Sequence, residues 1–390
     1  MIPDNMQFDL KIFVTLFLAV FVTTMGAGVV APLLPVYAHE LGAGAFHVGL
    51  IFGAFSITRS LFVPYFGGLS DRKGKKSLLT TGLFLYSIIS IFYFSAESVW
   101  ALIAIRLGHG FASAMILPVA QAYVGLIVPS SKEGRTMGIF NVALYGGLSF
   151  GPVLGGIVKD MFSIKVSFLS MGGLSLSGFL LCLIFLPGEK IPGGLEISRG
   201  AGQQKNLGLL RDPSILALCS FRAAFTTAIG IVWAFLPLVA STKLHLSSSA
   251  IGTIVMTNVF VAGLLQTPMG YVADRANKKL MIIIGGILSI ISMLYINHAV
   301  TFTELVIANG LLGIAGGISF PAVMALGVID GRRLGAMGSI MGLLALSHSL
   351  GMLTGPLIGG MLIDLFSYEL VFIIGAAFMG AGLLIFLWRH

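Results

Sequence analysis

Polar residues are spaced so widely along this chain that the apolar stretches between them are long enough to cross a bilayer. Twelve such runs can be read. Six lie at 11–37, 46–69, 78–96, 99–128, 135–159 and 165–187, and six more at 215–240, 248–272, 280–296, 301–327, 334–361 and 370–388. Their lengths suit helices spanning about 30 Å of hydrocarbon, where a backbone must satisfy its own hydrogen bonds. The first run has no small-residue cleavage site on a polar flank and is followed at once by Ala31-Pro32-Leu33-Leu34-Pro35, so it is read as a span and not a signal peptide.

The polar residues between the runs orient the chain. Seventeen of its 23 Lys and Arg residues fall at the termini and in the loops at 70–77, 129–135, 188–214, 273–279 and 328–333. The alternate loops hold only Lys159, Lys165 and Lys243. By the positive-inside rule both termini are expected in the cytoplasm, and an even number of spans agrees. The longest connection, 188–214, is rich in Gly and polar residues and reads as a cytoplasmic linker. It divides the chain into an N-terminal six-helix bundle (1–187) and a C-terminal one (215–390).

Composition strengthens this picture. Charged residues are 10% of the 390, against about 25% in soluble domains, and mean hydropathy is +1.00. A soluble surface cannot be built from that, so the net charge of +8 is read as topology signalling and not as a nucleic-acid footprint. The 51 glycines have no collagen period and suit close helix contacts in lipid. Cys182 and Cys219 both stand in apolar runs, which excludes a disulfide framework, and no metal-ligand spacing or phosphate loop is present. No cofactor and no enzymatic activity are expected.

The two halves repeat. Gly67-Gly-Leu-Ser-Asp71-Arg72-Lys-Gly74-Lys75-Lys76 matches Gly270-Tyr-Val-Ala-Asp274-Arg275-Ala-Asn277-Lys278-Lys279 at an offset of 203, and Pro118 matches Pro321 at the same offset. Gly147-x-x-x-Gly151-Pro152-x-x-Gly155-Gly156 matches Gly351-x-x-x-Gly355-Pro356-x-x-Gly359-Gly360 at 204, and Pro35 matches Pro237 at 202. Six spans per repeat give halves of the same topology, related by an axis along the membrane normal. That geometry permits rocking about a central site.

These motifs resemble those of the major facilitator superfamily. The Gly67–Lys76 run is similar to its signature loop, with Lys75 where arginine is commoner. Arg106-Leu-Gly-His-Gly110 is similar to its Arg-x-x-x-Gly element, and the Gly147–Gly156 run to the motif of its twelve-helix drug:proton antiporters. The resemblance covers residues 11–388. It implies an all-α polytopic carrier of twelve helices, working as a monomer among membrane lipids in the bacterial cytoplasmic membrane, with a small-molecule substrate and protons as partners. It also implies a directional role for Gly147, Gly151, Pro152 and Gly155, with Gly355 and Pro356 in the second half. Asp71, Arg72, Gly74 and Lys75 read as a latch, since a carboxylate among cations at a helix end can receive a neighbouring helix's amino end. Asp274, Arg275 and Lys278 are its weaker counterpart. Asn277 replaces the glycine there, so a looser turn is expected.

Ionisable groups inside the spans are the candidates for substrate and coupling. Arg59, Arg106 and Arg222 stand within spans, whereas none of the 15 carboxylates lies near the middle of one. That argues against a polyvalent-cation exporter. Arg106 is the leading substrate or gating residue, because the resemblance places its helix along the cavity. Asn309 takes its place in the second half. His109 and His348 can change charge near neutral pH, although Arg106 disfavours a proton on His109. Glu40 and Glu304, near helix ends, are alternative proton carriers. Phe21, Thr24, Met25, Phe225 and Trp233 are expected to line an otherwise apolar cavity. The leading expectation is export of hydrophobic or amphipathic molecules by proton antiport. The alternatives are an anion, lipid-like or metabolite carrier working by uniport or import, and a non-transporting sensor that keeps the fold.

Overall fold

The computed structural model describes residues 9–127, 133–187 and 209–389; for residues 71, 133–135 and 369 it describes the backbone alone. Residues 188–208 of the linker at 188–214 therefore lie outside the described residues, as does the Asp71 side chain. Among the described residues there are helices and no strands. In chain order they are α1 (Leu10–Glu40), α2 (Ala45–Lys73), α3 (Lys75–Ile91), α4 (Val99–Ser113), α5 (Leu117–Ile127), α6 (Glu133–Met161) and α7 (Ile164–Phe185), then α8 (Pro213–Thr242), α9 (Ser248–Arg275), α10 (Lys278–His298), α11 (Phe302–Arg333), α12 (Met337–Leu365) and α13 (Tyr368–Arg389). They supply twelve segments long and apolar enough to cross a membrane, with α4 and α5 sharing the fourth. Each run read from the sequence is found, a few residues longer at most ends because the polar caps continue the helices.

Those caps are local chemistry. Asp9 accepts the amides of Lys11 and Ile12 at 3.0 and 3.2 Å, and Ser98, Ser163 and Asp212 open α4, α7 and α8 in the same way. Such side chains satisfy the free N–H groups of a first turn. The fourth span is broken at residues 114–116, just before Pro118. Proline lacks the N–H that would bond the Ala114 carbonyl, and its ring crowds that carbonyl. The matching Pro321 leaves α11 unbroken, an asymmetry that nothing in the structure explains.

The chain divides into two compact units. The first holds Met1–Leu41, Ala54–Pro192 and Ser247–Met256; the second holds Gly42–Gly53, Gly193–Leu246 and Thr257–His390. Each unit therefore takes in the opening turns of one helix from the other repeat. In the first, α1 packs on α6 and α7, and α3 on α4 and α7; in the second, α8 packs on α12 and α13, and α10 on α11 and α13.

The packing reproduces the sequence repeat at Gly147, Gly151 and Gly156, while Gly155 meets the Val29 backbone and its counterpart Gly359 meets the Phe235 and Val371 side chains. A Cβ at Gly147 would fall on Thr24 and the Phe21 carbonyl of α1, and one at Gly351 on Thr226 and the Ala223 carbonyl of α8. Gly28 faces the Pro152 ring, and Gly230 the Pro356 ring. On the other side of α6, a Cβ at Gly252 would overlap the Pro152 carbonyl, as one at Gly49 would overlap that of Pro356. Each Gly-Pro run is thus a two-sided spine, pressed backbone to backbone on two neighbours, which small residues alone permit.

Backbone cannot rotate away from an added methyl group. Gly151→Ala would bring its Cβ to 2.7 Å from the Gly28 Cα, whereas Gly173, on α7, has open space around it. Thermal unfolding of purified protein should show Gly151→Ala destabilised by about 1–3 kcal/mol, the usual cost of overpacking, and Gly173→Ala close to wild type. Equal effects would contradict the spine.

Candidate functional site

In the first unit, the Arg106 guanidinium lies 4.3 Å above the Phe55 ring, a cation–π contact between α4 and α2. One turn along, a Cβ at Gly110 would overlap the Phe55 carbonyl, so the two helices cross there. Tyr86 on α3 stands within electrostatic range of both Arg59 and Arg106. The second unit has the same crossing with different chemistry. Gly313 backs onto the Asn258 carbonyl, and the Asn258 amide donates to the Asn309 carbonyl at 3.3 Å. The Arg–Phe pair of one repeat is an Asn–Asn pair in the other, at an offset of 203 for both residues.

His109 is fully buried. It stacks on Tyr86 at 4.3 Å and also contacts the Tyr93 ring. Its Nε2 lies 3.2 Å from Ser90 Oγ and 3.3 Å from the Tyr86 carbonyl, while the Ser90 hydroxyl donates to that same carbonyl at 2.7 Å. Nε2 must therefore carry the hydrogen. Nδ1 is buried and meets no hydrogen-bond partner among the described residues, which fits a neutral ring.

In the second unit, Arg222 Nη2 on α8 lies 3.2 Å from His348 Nδ1 on α12, and the guanidinium sits 4.5 Å over the Phe320 ring of α11. Phe225 belongs to the core, at 3% exposure against Phe221 and Gly316. Asn309 is likewise buried, and the Trp233 indole nitrogen is buried without a partner among the described residues. Thr24 turns its hydroxyl onto the Val20 carbonyl, and Phe21 packs against Gly146.

The end-of-helix carboxylates have local tasks. Glu40 pairs with Lys159 at 3.5 Å. Glu304 closes a capping box with Thr301, its carboxylate accepting the Val300 and Thr301 amides at 2.7 and 3.1 Å. The Thr301-x-x-Glu304 spacing was the available signal for that role.

The signature turn is tight: Gly74 alone separates α2 from α3, at φ +90°, where a side chain is strained. Lys75 is buried, Arg72 is exposed, and Lys76 Nζ donates to the Leu183 and Leu186 carbonyls that end α7. In the second half Ala276 and Asn277 both stand between the helices, and Asn277 caps α10 at 3.0 Å from the Lys279 amide. That turn is the longer one. Asp274 and Arg275 are exposed, Arg275 lying over Tyr271 at 4.1 Å, and Lys278 is half-buried.

Two carboxylates that the motif reading passed over stand out. Asp160, ending the α6 spine, accepts the Ser248 and Ser249 amides at 3.0 and 2.8 Å and so caps α9. Asp364, ending the α12 spine, accepts the Ala45 and Phe46 amides, both at 2.9 Å, and caps α2. The two differ by 204, so the repeat itself was the signal that could have found them.

The profile of the Major Facilitator Superfamily matches residues 16–231 and 216–390. The chain belongs to that superfamily. It is 30% identical over 357 residues, 90% of each chain, to an uncharacterized MFS-type transporter of Methanocaldococcus jannaschii. It is 27% identical to the multidrug resistance protein MdtG of Citrobacter koseri, over 96% of this chain and 93% of that one. Among solved structures, the nucleoside transporter NupG superposes with a TM-score of 0.80 at 13% identity, covering 97% of this chain and 98% of its own, a likeness of fold. The protein is a superfamily transporter and an integral protein of the inner membrane, in a family of carriers and not of enzymes.

Removing either new cap leaves two amides unsatisfied. Asp160→Ala and Asp364→Ala should each lower stability by about 0.5–2 kcal/mol in thermal unfolding. They share no partner, so the double variant should show their sum. No loss in either single variant would contradict the capping geometry.

Proposed function

We propose that the protein exports hydrophobic or amphipathic small molecules by alternating access, in exchange for protons, with both termini in the cytoplasm. The observation that carries this reading is the Gly-Pro spine, present in full on both α6 and α12 and packed on two neighbours in each unit. Backbone contacts of this kind move as rigid surfaces, which suits rocking between two arrangements. The name of the MdtG relatives, multidrug resistance proteins, agrees with export. Asp71, Arg72 and Lys75 serve as the latch at the signature-loop end, and Asp274, Arg275 and Lys278 as its counterpart.

A second reading of the cargo is favoured by charge. Arg59, Arg106 and Arg222 stand inside spans, while every carboxylate of the sequence stands in a loop or toward a helix end. Arg106 and Arg222 are each held over a phenylalanine face by cation–π contact. A cationic interior lined by aromatic rings suits an anionic amphiphile better than a cation.

Proteoliposomes test both readings. With an acidic lumen and protein inserted inside-out, uptake of an amphipathic fluorophore should rise and collapse when a protonophore is added. Arg106→Ala should lower uptake of an anionic fluorophore by about tenfold, the equivalent of 1.4 kcal/mol. Flux that only runs downhill and ignores the pH gradient would exclude proton exchange. Preference for cations, unchanged by Arg106→Ala, would exclude the charge argument.

A further inference from the structure

Exposed apolar residues of α3 and α7 flank a groove between the two helices, within the first unit. Its volume is about 200 Å³, and its walls are Thr80, Thr81, Phe84, Leu85 and Phe179. The Phe84 and Phe179 rings meet across it with centroids 5.2 Å apart. The Thr80 hydroxyl is satisfied within α3, donating to the Lys76 and Ser77 carbonyls at 2.9 and 3.0 Å. Phe84, Leu180 and Leu183 stay exposed beside the groove, as side chains that face acyl chains do.

Two ammonium groups meet the last turn of α7, at one end of this groove. Lys76 stands one turn before Thr80, and its Nζ donates to the Leu183 carbonyl at 3.0 Å and to that of Leu186. An ammonium has three donors, so one N–H is left, with no partner among the described residues. Lys11 of α1 is exposed and holds its Nζ 5.8 Å over the Phe185 ring. Phe84 follows Lys76 by eight residues, about 12 Å along α3. Charge at the mouth and aromatic walls below it are the proportions of a phospholipid head and chain.

The charge balance at this end is basic. Arg72 and Lys73 end α2, and Lys75 opens α3 beside Lys76. Asp9 accepts the amides of Lys11 and Ile12. Asp71 and Glu133 belong to the same end by sequence, and their side chains lie outside the described residues. On the helices packed against α3 and α7, the remaining charges are elsewhere. Glu40, Lys159 and Asp160 stand at the opposite ends of α1 and α6, α4 carries Arg106 and His109, and α5 carries none. The second half has no such groove signature. Thr80, Thr81, Phe84 and Leu85 match Ile283, Ile284, Ile287 and Leu288 at the offset of 203, and Lys11 matches Pro213 at 202.

We propose that this groove binds an anionic diacyl phospholipid, its phosphate held by Lys76 and Lys11 and one acyl chain lying along Phe84 and Phe179. Basic pockets between membrane helices favour such headgroups, by about fivefold for each lysine near the phosphate. Under the proposed orientation the lipid comes from the cytoplasmic leaflet. The site depends neither on the cargo nor on proton exchange. Because Lys76 also holds the last carbonyls of α7, the lipid anchors the turn from which the chain leaves for the linker.

Native mass spectrometry of delipidated full-length protein tests this, with phosphatidylglycerol and phosphatidylcholine of identical chains competing at equal concentration. Wild type should retain one phosphatidylglycerol at least about fivefold more tightly than phosphatidylcholine. Lys11→Gln keeps the amide that Asp9 accepts, and should weaken phosphatidylglycerol by about fivefold while leaving phosphatidylcholine unchanged. Lys76→Gln can still donate to the α7 carbonyls, and combined with Lys11→Gln it should bring the two lipids level. Thr81→Trp fills the groove and should weaken both. Lys279→Gln, at the matching place in the second half, should change neither. Equal retention of the two lipids by wild type, which needs no variant to fold, overturns the site. Undiminished preference in Lys11→Gln, or retention untouched by Thr81→Trp, places the lipid on another surface and overturns it as well.

Discussion

Hydrocarbon offers nothing to a polar group, so each one inside this protein must be answered by the protein itself or by what it carries. Much of the described architecture follows from that. The helices keep their backbone bonds internal, and the exposed amides of first turns are met by Asp9, Ser98, Ser163 and Asp212. At the ends of the two spines the same need is met from another helix, by Asp160 for α9 and Asp364 for α2. Lys76 answers the last carbonyls of α7. Glycine enters because helices brought this close leave no room for a Cβ between two backbones.

The interior charges answer to the same rule in a different way. Among the described residues, carboxylates and lysines stand at or near helix ends, where water can share them, whereas Arg59, Arg106 and Arg222 stand within spans. Arginine cannot shed its proton to become neutral, as a buried lysine or glutamate does, so its charge persists wherever the fold places it. Two of the three lie over aromatic faces, and one donates to a histidine. The positive charge of these three side chains is therefore fixed, which is what supports the proposed preference for anionic cargo.

Most of the scaffold was legible in the residues. Long apolar runs announce spans, and the constant offset of the Gly-Pro motifs announces their packing, because glycines four apart on one helix face have few other uses in lipid. Gly147 and Gly351, meeting Thr24 and Thr226, show how literally the repeat is built. The repeat was also blind where the halves differ. Arg222 and His348 match apolar residues, Val20 and Leu144, at the offsets of their own helices, so comparing the halves could not bring them together. The break at 114–116 was equally hidden, since Pro118 and Pro321 occupy equivalent positions and only one interrupts its helix. Glu304 carries charge at a helix end, but its spacing from Thr301 is that of a capping box.

The central claim is that the interior is built for negative charge, and ligand-induced thermal stabilisation tests it most directly. Naphthalene-1-sulfonate and the permanently cationic trimethyl(1-naphthyl)ammonium share one aromatic body and differ in sign. A ligand present at a hundred times its dissociation constant stabilises a folded protein by about 2.7 kcal/mol, enough to raise the unfolding temperature by a readable amount. The sulfonate should raise the unfolding temperature in a saturable way and the ammonium should not. Stabilisation by the ammonium alone would contradict the account.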